Sequence, residues 1–262
     1  MKIKQHIKEQ MRQNIIFLIF LLIFSCLIPF LSYSSAYSAK QENEWGNHYY
    51  KQKNYTEAVY WYNKAAEQGY VYAEYNLGYA YFYGQGVHQN YTEAVYWYNK
   101  AADQGDAYAE NNLGLAYSYG HGVHQNYYEA VYWWKKAADQ GNARGETQLG
   151  FAYFYGDDYT EAVYWYKKAA EQGYVYAEYN LGYAYFYGQG VKQNYYEAVY
   201  WYNKAADQGF ADAEYNLGSA YALGKGVQKN CSKAVYWWEK AADQGDADAK
   251  QQLSSSQFCN KP

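Results

Sequence analysis

The chain has little of what catalytic and metal centres are built from. Its 262 residues include three cysteines, five histidines, two methionines and two prolines. His121 and His124 stand three apart in GHGVH, but no third ligand falls at metal spacing, and the equivalent loops carry Gln85/His88 and Lys225/Gln228. Residues at positions this variable read as solvated loop side chains, so neither a metal nor a cofactor is expected. There is no phosphate-binding glycine loop, nucleophile elbow or Cys/His pairing. No catalytic residue is nominated, and the chain reads as something other than an enzyme. Basic residues are outnumbered too, 22 against 26. Without the N-terminal stretch to Ala36 the balance is 18 against 25, a net charge of −7. An acidic surface matches phosphate backbones poorly, and no nucleic-acid partner is expected.

Long apolar runs are confined to one place. MKIKQHIKEQMRQN sets Lys2, Lys4, Lys8 and Arg12 against Glu9, and IIFLIFLLIFSCLIPFL follows over Ile15–Leu31. Positive, then apolar, then small residues (SYSSAYSA) have the order of a secretory signal, with cleavage after Ala36 or Ala39. The apolar run of 17 residues is also just long enough for an uncleaved anchor. IFSC at Ile23–Cys26 has the outline of a lipoprotein site, but the apolar LIPFL after it argues against that reading. Residues 1–39 are therefore assigned to a signal peptide or signal anchor. The protein is expected to be exported: periplasmic or secreted if bacterial, membrane-anchored if the leader stays, and touching a membrane through no other segment.

Aromatic residues are abundant instead, with 40 Tyr, 10 Phe and 9 Trp. Such usage is far from ordinary for a globular chain and excludes disorder. The aromatics recur with a period. EAVYWYNKAA appears at Glu57, Glu93 and Glu197, and the anchor tryptophans Trp61, Trp97, Trp133, Trp165, Trp201 and Trp237 are 36, 36, 32, 36 and 36 residues apart. The units run 41–72, 73–108, 109–144, 145–176, 177–212 and 213–248, followed by a capping fragment 249–258 and a tail 259–262. Residues 55–105 and 159–209 align at an offset of 104 and differ only at Asn63/Lys167, His88/Lys192 and Thr92/Tyr196. A three-unit block, short unit first, was therefore duplicated whole.

Each unit has the pattern of two helices. Ala73, Leu77, Ala80 and Tyr81 lie on one helical face, as do Ala94, Trp97, Tyr98 and Ala101. Asn90 with Glu93 forms a capping box, in which Glu reaches back to the cap, and Asn54/Glu57, Asn126/Glu129, Asp158/Glu161 and Asn194/Glu197 repeat it. Gly69, Gly105, Gly141, Gly173, Gly209 and Gly245 suit left-handed C-terminal caps. One helix pair cannot bury both its faces, so successive pairs must stack into an all-α solenoid with the anchor tryptophans as structural core.

The residues Leu77-Gly78, Tyr81, Gly84-x-Gly86-Val87, Ala94, Trp97-Tyr98, Lys100-Ala101-Ala102 and Gln104-Gly105 resemble the Sel-one-like repeat, a relative of the tetratricopeptide repeat. The resemblance covers nearly everything after the leader. It implies a right-handed superhelix of antiparallel helix pairs that serves as a scaffold or adaptor for protein complexes, in exported bacterial members linked to the envelope and to host cells. The cysteine pairs of one subgroup are missing here.

Tyr75, Tyr79 and Phe82 form a separate stripe roughly opposite the packing face of the first helix, repeated by Tyr179, Tyr183 and Phe186 and in part by Phe151 and Phe154. In solenoids of this kind the first helix lines the concave surface, so the stripe is the candidate contact for an extended protein segment or helix. Duplication without selection at each copy is the plain alternative. A second series, Tyr60, Tyr96, Tyr132, Tyr164, Tyr200 and Tyr236, points away from the core on the second helix. Stacked rings also suit sugar faces, which makes a cell-wall or carbohydrate binder the alternative function. Cys231 and Cys259 lie 14 residues either side of Gly245, where an antiparallel turn would bring them together as a disulfide in an oxidising compartment.

Overall fold

The computed structural model describes residues 38–255. The leader to 37, Cys259 and the tail 259–262 lie outside the described residues, as does the proposed disulfide. Among the described residues there are thirteen α-helices and no strand. One compact unit, ending at Asp106, holds α1 (38–51), α2 (Tyr55–Glu67), α3 (Val71–Tyr83) and α4 (Tyr91–Asp103). The second unit begins at Ala107 with α5 (Ala107–Tyr119), α6 (Tyr127–Asp139), α7 (Ala143–Tyr155) and α8 (Tyr159–Glu171). It continues with α9 (Val175–Tyr187), α10 (Tyr195–Asp207), α11 (Ala211–Leu223), α12 (Cys231–Asp243) and α13 (Ala247–Ser254). The expected all-α class of stacked helix pairs holds within each unit. At the N-terminal boundary α1 includes Ala39, which is 2% exposed and packs with Ala58, Tyr62 and Leu77. Cleavage after Ala39 would remove a core residue; cleavage after Ala36 would leave every described residue of α1 in place.

The second helix of each pair starts at a side-chain cap. Asn90 Oδ1 accepts from the amides of Thr92 and Glu93 at 3.1 and 3.2 Å, and Asn194 does the same for Tyr196 and Glu197. The expected return contact from the glutamate is replaced. The Asn90 amide donates to the Tyr81 carbonyl at 2.9 Å, and Asn126, Asn194 and Asn230 donate to Tyr117, Tyr185 and Tyr221 in the same way. The cap is thus tied to the preceding helix by backbone, and Asn230 needs no acidic partner to hold the Lys233 amide at 3.0 Å. At the other end Gly105 takes φ +84, which lets the Asp106 amide reach back to the Ala101 carbonyl.

Packing divides labour between the two adjacent rings of the YWY and YWW motifs. The more deeply buried ring is the second: Tyr62, Tyr98, Trp134, Tyr166, Tyr202 and Trp238 are all at most 3% exposed. Each lies in a notch left by a glycine of the partner helix. A Cβ on Gly182 would stand 2.7 Å from the Tyr202 ring, and Gly78, Gly150 and Gly218 face Tyr98, Tyr166 and Trp238 likewise. The anchor tryptophan instead reaches the preceding pair. Trp201 of α10 joins the cluster of α8 and α9, Trp165 of α8 joins that of α6 and α7, and Trp97 packs against that of α2 and α3. Trp165 and Trp201 are buried, whereas Trp61, Trp97, Trp133 and Trp237 are only half-buried. The anchor series is therefore the wedge between repeats, and the following ring is the core within one.

Candidate functional site

The outward tyrosines have a local explanation. Tyr60, Tyr96, Tyr132, Tyr164, Tyr200 and Tyr236 are each about half exposed, between 49 and 54%. Each rests edge-on against its own anchor tryptophan, with centroids 5.0 to 5.2 Å apart. One turn further on, a lysine lies over both rings; Lys204 Nζ is 5.5 Å from Tyr200 and 5.3 Å from Trp201. Such a contact stabilises by about 0.5–1 kcal/mol at an exposed site. These ring faces are already covered by the protein's own cations.

The stripe on the first helices is half-buried rather than free. Tyr75, Tyr79, Phe82, Phe151, Phe154, Tyr179, Tyr183 and Phe186 all have intermediate exposure, because the second helix of the pair crosses beneath them. Tyr179 lies 6.0 Å from Tyr202, Phe151 5.6 Å from Tyr166, and Phe186 5.1 Å from Tyr195. Burial pushes the Tyr179 hydroxyl up to about 12. In the second unit the stripe is continuous between pairs, since Phe154 of α7 and Tyr183 of α9 are 6.5 Å apart. Its exposed part is one turn further along. Tyr83 and Tyr187 stand 4.5 and 4.4 Å from Tyr79 and Tyr183 and are 56% exposed; Tyr155 and Tyr119 are 79 and 67% exposed. Continuing the i, i+4 spacing by a single step finds this rim in the sequence. Two recesses open beside it. One of about 230 Å³ in the first unit is lined by Tyr50, Tyr75, Tyr79 and two asparagines, and one of about 310 Å³ in the second by Tyr119, Tyr127, Phe151 and Tyr155.

Buried carboxylates are the feature that sequence reasoning missed. Glu74, Glu110, Glu146, Glu178 and Glu214, in the first turn of α3, α5, α7, α9 and α11, are at most 3% exposed. Each accepts from the glutamine that closes the partner helix, Gln104, Gln140, Gln172, Gln208 or Gln244, at 2.6–2.7 Å. Lys136, Lys168 and Lys240 add ion pairs of 3.2 to 3.4 Å to Glu110, Glu146 and Glu214. Burial holds the carboxyls of Glu74, Glu146 and Glu178 above the ordinary range, against the opposing effect of these donors. Perturbed carboxylates often mark catalysis. Here the same contact recurs in successive pairs and fastens the start of one helix to the end of the next.

Cys231, at the head of α12, has no disulfide partner among the described residues. No group of His, Cys, Asp and Glu among the described residues could hold a metal ion, and no described helix is long and apolar enough to cross a membrane.

No curated protein matches the chain. Among solved structures, c5321, a protective antigen of uropathogenic Escherichia coli strains displaying an SLR fold, shares 40% identity at a TM-score of 0.76 over 82% of this chain. The match spans 48% of that protein's length. A Sel1 repeat protein from Oxalobacter formigenes shares 38% identity at a TM-score of 0.77, covering 84% of this chain and 93% of that one. Immunity protein Pa5087 of Pseudomonas aeruginosa, at 22% identity and a TM-score of 0.53 over 76% of this chain and 81% of that one, shows a likeness of fold alone. Proteins built from Sel1 repeats are generally non-catalytic scaffolds that bind other proteins. The Sel1 repeat pattern matches residues 41–70, 71–106, 107–142, 143–174, 175–210 and 211–246, and the chain belongs to the Sel1-repeat family.

Proposed function

We propose that this chain is an exported, non-enzymatic adaptor that grips an extended segment or helix of another protein along the stripe of its first helices. The observation that carries the reading is the exposed tyrosine rim of the second unit, Tyr119, Tyr155 and Tyr187, backed by half-buried rings and a recess of side-chain size, with Tyr83 at the equivalent place in the first unit. Tyrosine offers large contact area at low entropic cost, and rings already held by packing lose little freedom on binding. Export is supported by the order of charged, apolar and small residues in the leader and by the similarity to a protective antigen. A carbohydrate ligand is less well served. The asparagines of the first recess, Asn47 and Asn76, are already engaged: Asn76 donates to Asn43 at 3.1 Å and to Asn47 at 3.4 Å, and the Tyr62 hydroxyl donates to Asn47 at 2.9 Å.

The test compares full-length wild type with Tyr83→Ser/Tyr119→Ser/Tyr155→Ser/Tyr187→Ser and with Tyr200→Ser/Tyr236→Ser as immobilised baits for the envelope fraction. Circular dichroism first establishes equal helicity. A protein retained by wild type and the outward variant but lost from the rim variant supports the reading; equal retention by all three contradicts it.

A further inference from the structure

The duplicated block supplies an internal comparison. Over 55–105 and 159–209 the copies are identical at all but three positions, and two of the three differences fall in the lining of a single cavity. Lys167 stands where the first copy has Asn63, and Lys192 where it has His88. The cavity, of about 650 Å³, lies in the second unit and is lined by these lysines with Tyr185, Val191, Glu197 and Trp201. Their counterparts Tyr81, Val87, Glu93 and Trp97 are unchanged. The walls have therefore been kept while the ionic character changed from one carboxylate to one carboxylate and two ammonium groups. Elsewhere in the chain the same two register positions hold Asn99 with His124 and Asn203 with Gln228, and Lys135, in the register of Lys167, is followed by the shortened loop that lacks the second position, so the paired lysines occur at this place alone.

We infer that this cavity binds an acidic peptide segment, its carboxylate held by Lys167 and Lys192 and a neighbouring apolar side chain resting on Tyr185, Val191 and Trp201. The lysines are free to serve. Among the described residues Lys167 meets only Glu171, at 4.0 Å with both side chains more than half exposed, and Lys192 is exposed. The volume lies within the range of about 300–1,000 Å³ typical of ligand sites, well beyond what one small anion fills. A phosphate fits less well. The amides of Tyr196 and Glu197 at the head of α10, which a phosphate would use, are taken by Asn194 Oδ1 at 3.0 and 3.3 Å. Glu197 in the same lining repels a dianion more than a carboxylate. The site shares no residue with the tyrosine rim, so the two readings stand or fall separately.

The test uses full-length protein and a fluorescently labelled peptide alternating glutamate with leucine. A peptide with glutamine for glutamate and one with phosphoserine for glutamate serve as comparisons. Lys167→Asn/Lys192→His returns these positions to the sequence of the first copy, which folds as α2 to α4, so a loss of binding is not a loss of folding. The acidic peptide should bind wild type, more weakly as salt is raised. Its affinity should fall about 2- to 30-fold in Lys167→Asn/Lys192→His, the effect of two exposed ion pairs, with the glutamine peptide equally weak on wild type. Unchanged affinity in the variant, absent binding to wild type, or tighter binding of the phosphoserine peptide would each overturn the inference.

Discussion

Replacing Gly182 with alanine sets two opposed forces against each other at a defined point. On helix propensity alone an interior Gly→Ala change stabilises by about 1 kcal/mol. The new Cβ, however, would stand 2.7 Å from Cδ1 and 2.9 Å from Cε1 of Tyr202, where carbons rest about 3.5–4.0 Å apart. The ring must retreat by roughly 1 Å, yet Tyr202 is 1% exposed and has no open side to move into. Overpacking of this kind costs about 1–3 kcal/mol, leaving a net destabilisation of about 1 kcal/mol after the propensity gain. Tyr202→Ala removes the obstruction at a cost of about 3–5 kcal/mol. In that background Gly182→Ala should stabilise by about 1 kcal/mol. Urea titrations of the four proteins close the cycle, with a coupling of about 2 kcal/mol expected. If Gly182→Ala raises the midpoint equally in both backgrounds, the glycine notch is not what seats the ring.

The wedge tryptophan gives a second prediction: Trp201→Ala should cost about 3–5 kcal/mol in the same titration, against less than about 1 for the half-exposed Tyr200→Ala. The buried carboxylates give a third. Because Glu74, Glu146 and Glu178 titrate above their unfolded value of 4.5, the native chain holds more protons than the unfolded one in the interval between. Their contribution is fully present below 4.5 and declines as pH rises through the raised folded values. Urea midpoints should accordingly fall between mildly acidic and neutral buffer more steeply for wild type than for Glu74→Gln/Glu146→Gln/Glu178→Gln; identical slopes would refute this. Finally, N-terminal sequencing of exported protein should find Tyr37 first, since a start at Lys40 discards the buried Ala39.

Much of the fold was legible because the repeat states it six times. Apolar spacing placed both helices of each unit, and the Asn and Gly punctuation placed their ends. The tie from the Asn90 amide to Tyr81 was not legible, since it depends on how the loop folds back. Nor could sequence separate Trp97 from Tyr98, neighbouring aromatics on one helix whose different depths are set by the glycine of another. Nothing in the spacing marks Glu74 and its equivalents, which are buried where Gln104 and its counterparts approach them. Projecting the first helix at a fixed angle groups Tyr75, Tyr79 and Phe82 on one face. It could not show that the crossing partner half covers Tyr79 and Phe82 and leaves Tyr83 in the open.

The adaptor reading is tested most directly by installing a photo-cross-linking side chain at Tyr187 or, separately, at Tyr200 in the full-length protein and irradiating it in the cells that make it. The account predicts a discrete protein adduct from position 187 and none from position 200. An adduct at 200 with none at 187 would contradict it and assign the contact to the lysine-covered outward face.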